Sequence, residues 1–152
     1  MSLLLCIDSS ADICSVVLSK SKQIIAARNS AEQYAHAEIL TVFIADILNE
    51  ASLSIEQIDA IVYSAGPGSY TGLRIGVSLA KGLCFGANIP LIACSTLRAL
   101  AVAALEQNPN ADRVISLIDA RRMDAYLGVF NAKLVAEVEE HFITIDEQLA
   151  VD

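Results

Sequence analysis

Residues 58–95 read IDAIVYSAGPGSYTGLRIGVSLAKGLCFGANIPLIACS. Ile58 to Ser64 is a β-branched run suited to a strand, and Gly66-Pro67-Gly68 stops it and turns the chain. Thr71 is the expected N-cap of a helix from Gly72 to about Phe85, closed by Gly86 and Asn88. Ile89 to Cys94 reads as the next strand, and Ser95 caps a third helix through about Gln107. Strand, helix, strand and helix in succession predict a parallel pairing with a right-handed crossover, and therefore an α/β fold.

Upstream, Leu3 to Ile7, Ser15 to Leu18 and Gln23 to Ala27 read as three short strands of an antiparallel meander, with polar turns at Asp8 to Asp12 and Lys20 to Lys22. From His36 to Glu50 the apolar positions Ile39, Leu40, Phe43, Ile44, Ile47 and Leu48 follow helical spacing, so one face of that helix lies on a sheet. Downstream, Asn108-Pro109-Asn110 interrupts the pattern and marks an expected boundary between a first lobe, 1–108, and a second, 109–152. Beyond it, Val114 to Ile118, Tyr126 to Phe130 and Leu134 to Val138 repeat the all-strand opening of the first lobe, with a tight turn at Asn131-Ala132.

The 152 residues are 55% hydrophobic, enough to bury a sound core, which excludes a disordered chain. Mean hydropathy is +0.53, and the apolar excess must enter a buried sheet or a surface that another chain covers. Arg74, Lys81, Asn88, Pro90 and Arg98 break the richest region before it reaches the roughly 20 apolar residues of a membrane span. The opening Met-Ser-Leu-Leu-Leu-Cys-Ile-Asp has no basic start and loses its apolar run at Asp8, so a cytoplasmic protein is expected. Ten basic against 18 acidic residues give a net charge of -8, which repels a phosphate backbone. Cys6, Cys14, Cys84 and Cys94 form no C-x-x-C pair and suit reduced core positions.

The helix after the glycine loop is apolar nearly all round, with Arg74, Ser78 and Lys81 on one narrow stripe. Gly76 and Gly82 in its interior each cost about 1 kcal/mol relative to alanine. Small residues recur as two ridges, Gly72, Gly76, Ala80 and Ser78, Gly82, Gly86, which allow another backbone to approach closely. That approach is made either by the rest of the same chain or by a partner subunit. The preceding loop, Gly66 to Gly72, feeds a helix N-terminus that favours anions, but its G-x-G-x-x-x-G spacing fits neither a dinucleotide fingerprint nor a Walker loop. A tight turn with a cap is the plainer reading.

Asp8-Ser9-Ser10 at the first hairpin could orient a phosphate or a metal-bound water, although all three are ordinary turn residues. Asp119-Ala120-Arg121-Arg122 holds the equivalent hairpin of the second lobe and has no glycine for a phosphate wrap. His36 and His141 match no metal spacing, and no serine sits in a nucleophile elbow, so no catalytic residue and no metal ligand is expected.

Ile7-Asp8-Ser9-Ser10, the run from Gly66 to Gly76, Cys94-Ser95-Thr96-Leu97 and Ile118-Asp119-Ala120-Arg121 together resemble the TsaB (YeaZ) family in order and spacing. The resemblance implies an actin/hexokinase-like (ASKHA, ribonuclease H-like) fold, a mixed sheet with flanking helices. Family members run past Asp152, so the second lobe is expected to be incomplete. It also implies a non-catalytic subunit in forming tRNA N6-threonylcarbamoyladenosine. Such a subunit pairs with TsaD, with TsaE joining as an ATPase, and self-associates when alone. ATP or ADP and metal then belong to TsaD and TsaE, none is expected on this chain in isolation, tRNA is met only through the complex, and no membrane is involved. By the same resemblance the partner interface falls on Gly72, Leu73, Ile75, Gly76, Leu79, Ala80 and Leu83, with His36, Ile39, Leu40 and Phe43 of the preceding helix. Asp8, with Ser9 and Ser10, stands at the fold's first phosphate loop. The alternative is a small-molecule kinase or ATPase of the same fold; a peptidase lacks a nucleophile and base at suitable spacing.

Overall fold

The computed structural model describes residues 2–30 and 36–145, with the backbone alone for His36 and Ala37. Its elements are β1 (Leu3–Asp8), β2 (Cys14–Lys20), β3 (Gln23–Ser30), α1 (His36–Glu50), β4 (Ala60–Gly66), α2 (Tyr70–Ala87), β5 (Leu91–Ser95), α3 (Thr96–Gln107), β6 (Arg113–Arg121), β7 (Asp124–Asn131) and β8 (Ala136–Thr144). None of the described helices is long and apolar enough to cross a membrane.

The chain divides into two compact units between Cys94 and Ser95. In the first, five strands lie in the order β3-β2-β1-β4-β5. β1 pairs antiparallel with β2, setting Leu5 opposite Leu18, and parallel with β4, setting Leu5 beside Ile61. This is the mixed sheet expected from a meander followed by a crossover. Alternation along β1 and β2 turns Leu3, Leu5, Ile7, Cys14, Val16 and Leu18 to one face, where they are buried with Leu40, Ile44 and Ile47 of α1 and Ala80 and Cys84 of α2. Burying a leucine or isoleucine fully is worth about 1.5–3 kcal/mol, so this layer holds the unit together.

In the second unit the strands lie in the order β6-β7-β8, all antiparallel. Leu97 and Ala101 of α3 pack with Phe130 of β7, joined by Val114, Ile118, Tyr126, Leu134 and Ala136. That packing puts α3 with the second unit, so the division falls between Cys94 and Ser95 and not at the 108/109 boundary expected from the Asn-Pro-Asn break.

Two ends differ from expectation for local reasons. α2 starts two residues earlier, capped by Ser69 and not Thr71: Ser69 Oγ accepts from Gly72 N at 3.3 Å, and Leu73 N donates to Ser69 O at 2.8 Å. It closes on Asn88 in the left-handed conformation, φ 53°, as a helix C-terminus favours. β8 begins at Ala136 and not Leu134, because Asn131 Oδ1 accepts from Lys133 N at 2.9 Å and Val135 N at 3.1 Å, extending the turn.

Candidate functional site

The two glycine ridges of α2 meet different surroundings. Gly72, Gly76, Ala80 and Cys84 are buried within the chain. A Cβ on Gly72 would fall 1.9 Å from Ser9 O, and one on Gly76 would fall 2.3 Å from Ser9 Oγ. One on Gly68 would meet Ser10 O at 2.3 Å. Glycine at 68, 72 and 76 therefore admits the turn between β1 and β2 onto the start of α2, where Ser9 Oγ donates to Gly72 O at 2.8 Å and Ser69 N donates to Ser10 O at 2.7 Å.

This corrects the expected interface. Gly72, Gly76 and Ala80 cannot face a partner, because the chain's own first hairpin and core cover them. Leu40 is likewise a core residue with no exposure, since α1 lays it on the sheet. Ile39 and Phe43 of α1, and Ile75, Leu79 and Leu83 of α2, are half-buried against the same core, and Leu73 is half-buried with its side chain over Gly66. The His36 side chain lies outside the described residues.

The second ridge is open. Among the described residues nothing lies within 4 Å of a Cβ built on Gly82 or Gly86, and Ser78 and Lys81 are exposed beside them. Phe85, on the same side, is 92% exposed, and Tyr70 at the helix start is 74% exposed. The Arg74 guanidinium sits 5.5 Å from the Tyr70 ring centre, a cation–π arrangement worth about 0.5–1 kcal/mol at the surface. An open groove of about 510 Å³ follows, lined by Tyr70, Thr71, Arg74, Ile75, Ser78 and Leu79. Tyr70, Gly82, Phe85 and Gly86 are absent from the expected interface set. Their signal was Phe85, an aromatic set on the ridge of Ser78 and Gly82.

Asp8, Ser9 and Ser10 do not fit a phosphate. Ser9 and Ser10 are buried, and their hydroxyls are engaged inside the chain. Asp8 Oδ1 accepts from Ser10 N at 2.9 Å and Ser10 Oγ at 2.7 Å, so the amide that a phosphate would need is already bonded. In the second hairpin Asp119 Oδ1 accepts from Arg121 N at 2.7 Å, while Arg121, Arg122 and Met123 stand exposed with φ of 69°, 57° and 65°. Among the described residues no cluster of three His, Cys, Asp or Glu is placed to hold a metal ion. None of the four cysteines is in a disulfide; burial pushes the thiols of Cys6, Cys14 and Cys84 above their ordinary range, which keeps them protonated.

The family model described as TsaD: tRNA N6-adenosine threonylcarbamoyltransferase matches residues 24–152. The tRNA threonylcarbamoyladenosine biosynthesis protein TsaB of Haemophilus influenzae is 38% identical over 142 residues, 91% of this chain. The chain spans little more than half of that curated relative, 58% of its length. The solved structure of YeaZ from Pseudomonas aeruginosa superposes with a TM-score of 0.88 at 31% identity, covering 97% of this chain and 70% of that one. At the level of fold alone, the Aquifex aeolicus Ppx/GppA phosphatase reaches a TM-score of 0.50 at 9% identity, over 95% of this chain and 53% of the other. The actin/hexokinase-like architecture that the family resemblance implies is thus the one observed. With the glycine run, the mixed sheet and the TsaD model match in agreement, the chain belongs to the TsaB (YeaZ) family.

Proposed function

We propose that this chain acts as a non-catalytic subunit in forming tRNA N6-threonylcarbamoyladenosine, pairing through the outward ridge of α2 with a TsaD-type transferase. One observation carries the reading: Gly82 and Gly86 give up helix stability with nothing of the described chain packed on them, beside a phenylalanine left 92% exposed. A partner helix seated there would use the missing side chains for close approach and bury the ring. The relatives' names supply the pathway, and the transferase is the partner that the family implies.

In this reading nucleotide and metal belong to the TsaD-type partner and to a TsaE-type ATPase, because the Asp8-Ser9-Ser10 turn is filled by its own hydrogen bonds. With a net charge of -8 the chain reaches tRNA only as part of the complex, in the cytoplasm. The test is reconstitution of the tRNA modification from purified TsaD-type and TsaE-type proteins with and without this chain, beside calorimetry of the chain alone with ATP and magnesium. Modification that depends on the chain, with no ATP binding by it, is expected. ATP binding at micromolar to millimolar concentration by the chain alone would favour a kinase or ATPase of the same fold.

A further inference from the structure

α2 carries two cations, Arg74 and Lys81, and no acidic residue, in a chain whose net charge is -8. Both are exposed. Neither is held by a carboxylate among the described residues, where the ion pairs are Arg28 with Glu50 and Arg113 with Glu137. Helical spacing sets Tyr70, Arg74, Ser78, Lys81 and Phe85 in one line along the axis, all five exposed. Beside that line the half-buried Ile75 and Leu79 give the open groove an apolar lining. Charge and apolar surface thus run side by side along the outward face of one helix.

Two cations without a carboxylate, in an acidic chain, favour an anionic ligand. A nucleic acid fits poorly: its phosphates meet a net charge of -8, and two cations about 10.5 Å apart along the axis make no continuous basic track. An amphipathic helix fits both features, because its apolar face can lie on Ile75, Leu79 and the Phe85 ring while carboxylates at its edge reach the guanidinium and the ammonium. We infer, building on the pairing proposed above, that the segment of the TsaD-type partner seated on α2 is a helix bearing two carboxylates about two turns apart, one for Arg74 and one for Lys81. Arg74 is already oriented for this. Its guanidinium lies 5.5 Å from the centre of the Tyr70 ring, a contact that fixes the fork without using its five N–H donors. Charge pairs of this kind set the register of one helix on the other and speed their encounter.

Titration calorimetry of the chain with the TsaD-type protein of the same organism, at 0.1 M and at 1 M salt, tests this, because the screening length shortens from about 10 Å to about 3 Å between them. The parent should lose about tenfold in affinity at the higher salt. Arg74→Gln combined with Lys81→Gln should bind about tenfold more weakly than the parent at 0.1 M, equivalent to about 1.4 kcal/mol, and within about threefold of it at 1 M. Arg74→Glu combined with Lys81→Glu should reverse the trend and bind more tightly as salt rises. Lys133→Gln, which removes an exposed cation of the second unit, should behave as the parent does. Salt-independent binding by the parent, a doubly neutralised chain that binds as the parent does, or an equal effect of Lys133→Gln would overturn the acidic helix and leave the pairing standing. Binding of tRNA to the chain alone, lost on neutralising Arg74 and Lys81, would overturn it in favour of a nucleic-acid ligand. No binding of the transferase by the parent would overturn the pairing as well.

Discussion

Ser9 lies so close over Gly76 that a methyl group there would sit 2.3 Å from its hydroxyl oxygen. In an ordinary helix interior, glycine to alanine is favourable by about 1 kcal/mol. Here the sign reverses. Gly76→Ala should destabilise the chain by about 1–3 kcal/mol, as overpacked cores do, and Ser9→Ala should recover part of the loss. Gly72→Ala should cost more, because the obstacle is the Ser9 backbone oxygen and cannot rotate away. Urea midpoints of the three variants and the double variant check this.

Gly82 stands on the same helix with none of the described residues within 4 Å of a Cβ there, so the usual sign holds. Gly82→Ala should stabilise the isolated chain by up to about 1 kcal/mol, a rise of a few degrees in Tm. Thermal unfolding measures it. A destabilised Gly82→Ala would mean that this ridge, like the other, is internal packing.

α1 offers a contrast of faces. Leu40 is fully buried while Val42, two positions on, is 54% exposed. Leu40→Ala should cost about 2–5 kcal/mol through lost transfer energy and a residual cavity. Val42→Ala should stay within about 0.5 kcal/mol of the parent. Equal effects would contradict the orientation of the helix.

The buried thiols set a pH dependence on the alkaline side. Burial raises Cys14, Cys84 and Cys6 in the folded chain above the ordinary thiol value of 9.0. Between that value and the raised one the unfolded chain binds fewer protons than the folded one. Stability is therefore fully present below pH 9.0 and falls as pH rises toward the folded value. Chemical denaturation from pH 7 to 10 should show this decline, with a shallower slope for Cys14→Ala.

Much of this was legible in the residues. Periodicity placed α1 at His36 to Glu50 and α3 after Ser95, because apolar spacing and a capping serine are local signals. The meander and crossover followed from strand runs punctuated by turn residues. The two ridges were legible too, but not which one the chain itself would cover. That depends on Ser9, which lies more than sixty positions from Gly72 and meets it only through the parallel pairing of β1 with β4. Spacing shows that a close approach is needed; only the fold shows which backbone makes it. The same limit hid the role of Ser10, whose hydroxyl closes on Asp8 and leaves no phosphate cradle.

The central claim is that the ridge of Ser78, Gly82 and Gly86, with Phe85, is a docking surface for the transferase. Titration calorimetry of this chain with the TsaD-type protein of the same organism tests it most directly, using Gly82→Leu and Phe85→Glu variants whose circular dichroism matches the parent. Binding at micromolar concentration or tighter is expected for the parent, with a loss of about thirtyfold or more in each variant, as for a central interface residue worth about 2 kcal/mol. Unchanged affinity in both variants, or no binding by the parent, would contradict it.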